Sequence, residues 1–181
     1  KTFWIKKYDI NYNQKILIVL GSMRKSFFSY FEGNLPNFSI SQIEILNKFL
    51  DVSKYKKSDI TLRFHKDFGF GEQNYFKKNF PNINQSKRES RHYHFYEILK
   101  NFSLKIFTSD YTANVQSMII NHPTIMLWDD KIISNNKNYD DLYKKLYLNK
   151  ILFYDPIKCS KFVNDLIDKN SLFDWWFKEN T

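Results

Sequence analysis

Five consecutive apolar residues, Ile16-Leu17-Ile18-Val19-Leu20, constrain this chain more than any other feature. The run is short, rich in β-branched side chains and uninterrupted, and Lys15 precedes it while Gly21-Ser22 ends it. Such a segment suits a strand buried on both faces of a parallel sheet. It is much too short to cross a bilayer, and no longer apolar stretch exists elsewhere.

The remaining punctuation alternates helix and strand. Ile40, Ile43, Leu46, Phe49 and Leu50 recur at three- and four-residue spacing, which predicts a helix over Ser39 to Leu50 with Ser39 or Ser41 as its cap. Strands are predicted at Ile60 to Phe64, Leu104 to Phe107, Thr124 to Trp128 and Ile151 to Phe153. Between them come helices from Glu72 to about Phe80, stopped by Pro81, through Tyr93, Tyr96, Leu99 and Lys100, from Thr112 to Asn121, stopped by His122-Pro123, and through Leu142, Leu146 and Leu148. Residues 82–91 are polar and read as irregular. Pro156 opens a further helix through Phe162, Val163, Leu166 and Ile167, and Ser171 caps a short aromatic one containing Trp175-Trp176. This order predicts an α/β fold, a Rossmann-like parallel sheet flanked by helices, in a single domain over residues 1–181. In such sheets ligands sit beyond the carboxyl ends of the strands, so the loops after Leu20, Phe64, Phe107 and Trp128 should share one mouth.

Apolar residues form 43% of the 181 positions and charged residues 26%, enough to build a core and to exclude a mainly disordered chain. The formal charge of +9 invites an anionic partner, but it comes from 24 lysines and only four arginines, scattered with no long basic run. A solvated basic surface is the preferred reading over a nucleic-acid site. Cys159 is the only cysteine, which excludes an intramolecular disulfide or a CxxC metal site and points to a reducing, cytoplasmic setting. Lys1-Thr2-Phe3-Trp4 carries neither an initiating Met nor a signal pattern, so the chain reads as a fragment.

The most informative turn is Ser109-Asp110-Tyr111-Thr112-Ala113-Asn114, which joins a buried strand to a helix whose first N–H groups lack intrahelical acceptors. Those donors suit phosphate, and small hydroxyl residues there either bind a phosphate oxygen or simply cap the helix; Ser109 or Asp110 as a plain N-cap is the simpler account. Arg63 and His65 occupy alternate positions at a strand end and therefore face the same way. With Lys66 they offer donors to a diphosphate, against an alternative in which Arg63 pairs with Asp67 and His65 is satisfied by backbone. Gly69-Phe70-Gly71 is not a dinucleotide fingerprint, since Asn74 stands where a third glycine belongs. His92 and His94 lack a third ligand, so no metal is expected. His122 reads as a loop residue, Asp129-Asp130 as a solvated turn or a ribose contact, and Trp175-Trp176 as an anchor for the last helix, because adjacent helical residues cannot share a face.

Ser109-Asp-Tyr-Thr-Ala, a helix, and then Asn121-His-Pro-Thr-Ile-Met-Leu-Trp128-Asp129 resemble the C-terminal half of GT-B glycosyltransferases, in particular surface-polysaccharide transferases and, more distantly, CDP-glycerol glycerophosphotransferases. Arg63-Phe-His65-Lys66-Asp67-Phe-Gly69, Met23-Arg24, Tyr154-Asp155-Pro156 and the closing Trp175-Trp176 are also similar to the first family, so the likeness runs from about Lys15 onward in the same order. It implies a GT-B C-terminal type domain that binds a nucleotide-sugar donor through Arg63, His65, Lys66, Ser109, Asp110, Thr112, Ala113 and Asn114, with the base near Trp128. It further implies no cofactor and no metal, a saccharide or lipid-linked acceptor held by a missing N-terminal half, which would also carry the general base, and peripheral association of the full-length protein with the inner membrane face. Two alternatives stand beside it: a sugar-nucleotide epimerase or hydrolase of the same architecture, and a non-catalytic basic module for RNA or another anionic polymer.

Overall fold

A computed structural model describes residues 14–21, 37–64, 72–86, 95–109, 112–129 and 139–178. Six strands, β1 (Ile16–Val19), β2 (Ile60–Arg63), β3 (Asn84–Gln85), β4 (Leu104–Phe107), β5 (Thr124–Leu127) and β6 (Leu152–Phe153), form one sheet in the order β3-β2-β1-β4-β5-β6. All five pairings are parallel. The helices are α1 (Asn37–Val52), α2 (Glu72–Asn79), α3 (Phe95–Leu99), α4 (Thr112–Ile119), α5 (Asp140–Leu148), α6 (Pro156–Asp168) and α7 (Leu172–Phe177). The expected α/β, Rossmann-like architecture is therefore present.

Side-chain alternation along the strands separates two layers. Ile16, Ile18, Ile60, Leu62, Leu104, Ile106, Ile125 and Leu127 are fully or almost fully buried on one face, with Leu46 and Phe49 of α1, Phe76 of α2 and Val163 of α6 against them. On the other face Leu17 and Phe107 pack with Leu99 of α3, and Met126, Trp128 and Leu152 with Tyr143 and Leu146 of α5. Burial on both sides explains why β1 and β5 read as largely apolar runs.

Two helices of the first layer are joined by side-chain hydrogen bonds. Asn164 of α6 donates Nδ2–H to the Val52 carbonyl (3.0 Å) and accepts the Lys54 N–H on Oδ1 (2.9 Å), closing the C-terminal end of α1. Asp155 caps α6 by accepting the N–H groups of Ile157 and Lys158, and Pro156 takes the first helical position as expected.

Several expectations need correction. Helix α1 begins at Asn37, so neither Ser39 nor Ser41 caps it; the Ser41 hydroxyl donates instead to the Asp129 carboxylate. The segment 82–91 is not wholly irregular, because Asn84 and Gln85 add an edge strand beside Thr61 and Leu62. Ser171 precedes α7, but its hydroxyl donates to the Leu166 carbonyl rather than capping the helix. In α5, Leu146 turns inward as expected, but Leu142 and Leu148 are half or more exposed and Tyr143 packs inward beside Leu146. The expected residues His65, Lys66, Asp67, Gly69, His92, His94, Asp110, Tyr111 and Asp130 lie outside the described residues.

Candidate functional site

Strand order reverses between β1 and β4: from β1 the chain proceeds outward to β2 and β3, then returns to β4 and proceeds the other way. A crevice at the carboxyl ends of such a pair is where open parallel sheets hold ligands. Thr108 sits at this point, one residue past β4. Its hydroxyl donates to the Val19 carbonyl (3.3 Å) and accepts the Gly21 N–H (3.3 Å), while its own N–H also reaches Val19 (3.1 Å). The end of β1 is thereby fixed against the end of β4, a role that sequence reading did not assign to Thr108.

Helix α4 starts four residues further on. Thr112, its first residue, is exposed, and Ala113 packs against the Leu17 and Phe107 cluster. The N–H groups of the opening turn have no acceptor within the helix, so its positive end faces the carboxyl edge. Asn114 points inward: its side chain is 3% exposed, with Nδ2 against the Met126 sulfur (3.4 Å) and Oδ1 accepting the Val115 N–H (2.6 Å). Its side chain is committed to the core. Ser109 is buried at the strand end.

Arg63 closes β2. Val19 is in register with Arg63 on one side and with Phe107 on the other, so Arg63 projects from the same face as α4. Two strand spacings, roughly 10 Å, separate its backbone from that of Phe107, a gap that an arginine side chain largely spans. The guanidinium lies over the Phe95 ring of α3, 5.1 Å from its centroid, which holds the charge on this layer.

Trp128 follows β5 and is 3% exposed, edge-on to Tyr143 with ring centroids 5.9 Å apart. At that burial it offers little surface to a base, and its buried Nε1–H has no hydrogen-bond partner among the described residues. Asp129 is held by Ser41. Among the described residues no three His, Cys, Asp or Glu side chains gather as a metal site would require.

His122 is a loop residue, as expected, and a buried one. It stands at the amino edge of the sheet, away from the mouth, where its Nδ1 accepts from the Lys105 ammonium at 2.6 Å. Burial pushes Lys105 down to about 7. Burial, then the neighbouring Lys105 and Lys100 charges, push His122 down to about 4, with the Leu99 carbonyl opposing. This pair is a structural feature of the core. A groove of about 910 Å³ opens beside the mouth, between α5 and α6.

A doubly wound parallel sheet with an exposed helix start at its switch point defines a Rossmann-like α/β domain. The structure is similar to the crystal structure of the catalytic domain of cholesterol-alpha-glucosyltransferase from Helicobacter pylori, with a TM-score of 0.50 and 16% sequence identity over 90% of this chain and 93% of that one. At that identity the likeness is one of fold. The sequence matches the LIC12162 family transferase over residues 2–181, and the chain belongs to that family. It is a transferase with the expected GT-B type of fold. No curated protein matches it. No helix among the described residues is long and apolar enough to cross a membrane.

Proposed function

We propose that this domain binds a nucleotide-activated sugar at the carboxyl edge of its sheet and serves as the donor-binding part of a glycosyltransferase that builds surface polysaccharide. One observation carries the reading: the exposed start of α4 lies at the β1/β4 switch point, and Arg63 projects from the same face of the sheet. The family's transferase character and the glucosyltransferase domain with a similar fold agree with it.

In this reading the helix start at Thr112, Ala113 and Asn114 and the Arg63 guanidinium hold the donor diphosphate, with Ser109 at the adjoining strand end. As the sugar–phosphate bond breaks, negative charge grows on the leaving diphosphate. Fixed donors already aimed at it stabilise the transition state more than the ground state. Arginine suits the task because its planar fork meets two phosphate oxygens at once. Trp128 supports the wall beside which the base would lie. The general base, and the acceptor's contacts at the reacting end, belong to a second domain.

Thermal unfolding with UDP, GDP, CDP, CMP and their sugar conjugates tests this, since a ligand that binds only the folded state raises the midpoint. One nucleoside diphosphate should raise it by several degrees at millimolar concentration, and Arg63→Ala should remove most of the rise. A flat response to the whole panel would count against the reading.

A further inference from the structure

Edge strand β6 lies between α5 on one face of the sheet and α6 on the other, and the groove of about 910 Å³ runs between these helices. That volume is near the upper end of the ~300–1,000 Å³ found for small-ligand sites. Its walls are cationic. Lys144, Lys150, Lys158 and Lys161 border it and are all exposed, against the carboxylates of Asp140, Asp155 and Asp165. Asp155 is already engaged as the cap of α6, accepting from Ile157 (2.8 Å) and Lys158 (3.1 Å). Among the described residues, four ammonium groups therefore face two carboxylates, of Asp140 and Asp165, that cap no helix end in this way.

The aromatic lining narrows the ligand further. Tyr147 and Tyr154 are stacked on each other, with centroids 6.2 Å apart and planes at 23°, and the Lys150 ammonium lies 5.7 Å from the Tyr147 centroid. Nucleic-acid bases bind by stacking on open ring faces. Here much of that area is taken, and the tyrosines offer ring edges and hydroxyls. Carboxylates among the lysines would repel a phosphate backbone, yet they accept readily from sugar hydroxyls. The groove also adjoins the mouth, because Tyr143 on its wall meets Trp128 at the end of β5.

We infer that this groove binds an acidic saccharide chain, with Lys158 and Lys161 pairing with its acid groups and Tyr147 and Asp165 meeting its hydroxyls. Its role as an acceptor track leading to the mouth rests on the donor reading given above.

Titration calorimetry with a hyaluronan octasaccharide, neutral maltooctaose and a 12-nucleotide oligouridylate tests the site. Hyaluronan should bind more tightly than maltooctaose, and Lys158→Glu with Lys161→Glu should weaken it at least tenfold. Both lysines are exposed, and an acid in the first turn of α6 favours the helix, so folding should persist. Tyr147→Phe, which removes one hydroxyl, should weaken binding severalfold. The inference is overturned if hyaluronan fails to bind at millimolar concentration, if the double variant binds it equally well, or if oligouridylate binds more tightly than either saccharide. The nucleotide response in thermal unfolding should be the same in the double variant as in the parent. If that response is absent in the parent while hyaluronan binding still maps to these lysines, the donor reading fails and the groove stands; the converse removes the groove alone.

Discussion

Trp176 donates its indole N–H to both the carbonyl (3.1 Å) and the side-chain Oδ1 (3.0 Å) of Asn121, a residue 55 positions earlier in the chain. Asn121 ends the turn after α4 with a positive φ of 56°, a conformation asparagine tolerates better than most residues. Trp175, pointing about 100° away around α7, donates instead to the Asn149 carbonyl after α5 (3.1 Å). Adjacent tryptophans thus tie the last helix to two different turns. Trp176→Phe keeps most of the ring and removes the donor, so it should lower unfolding free energy by about 1 kcal/mol in urea titration. An unchanged midpoint would show that water replaces the bond without loss.

Asn164 holds the end of α1 through two hydrogen bonds, and it is only 6% exposed. Asn164→Ala leaves the Val52 carbonyl and the Lys54 N–H to find other partners in a place with little access to water. A loss of about 1–3 kcal/mol in chemical denaturation is expected. The nearby Lys54–Asp168 ion pair is exposed on both sides and screened by water, so Asp168→Asn should leave the denaturation midpoint essentially unchanged.

The parts of this fold that are legible in the sequence are those where burial alone dictates the residue types. Strand β4 is buried at all four positions, and its predicted bounds agree with those observed. Strand β3 carries no apolar signal because Asn84 and Gln85 contribute only backbone to the sheet edge. The burying face of α5 differs in part from the expected one because Leu142 and Leu148 are exposed while Tyr143 joins Leu146 in facing inward and packs on Trp128, a choice fixed by a strand that lies outside the helix's own sequence. At the mouth, the Thr112 helix start is legible from local turn chemistry. The Thr108 clip is not, since it depends on β1 lying alongside β4, and the groove is not, since it is assembled from separate elements without a local motif.

Thr112→Glu separates folding from ligand binding at the mouth. Thr112 is exposed, and a carboxylate in the first turn of a helix interacts favourably with its dipole, so stability should hold or rise slightly. The same carboxylate would oppose a diphosphate at that helix end. Nucleoside diphosphate affinity should fall at least tenfold by calorimetry, with the unfolding midpoint in the absence of ligand unchanged or higher. Equal affinity would place the diphosphate somewhere else.

The Lys105–His122 pair predicts how stability varies with pH. Lys105 falls from 10.5 in the unfolded chain to about 7 in the folded one. Between those values the unfolded state holds a proton that the folded state has released, so stability rises with pH across that window. His122 falls from 6.5 to about 4, which makes stability rise with pH across this lower window as well and decline as the solution is acidified through it. The penalty for burying both charges is thus largest in acid and is relieved stepwise toward alkali. Unfolding midpoints should climb between pH 7 and 9.5, by an amount equivalent to a few kcal/mol, since a tenfold difference in proton affinity between the folded and unfolded chains corresponds to about 1.4 kcal/mol. Lys105→Met removes the titrating ammonium and should flatten that climb while retaining the part due to His122 below pH 6.5. A climb of the same size in Lys105→Met would mean that another group governs the alkaline window and that the buried ammonium is already accommodated at neutral pH.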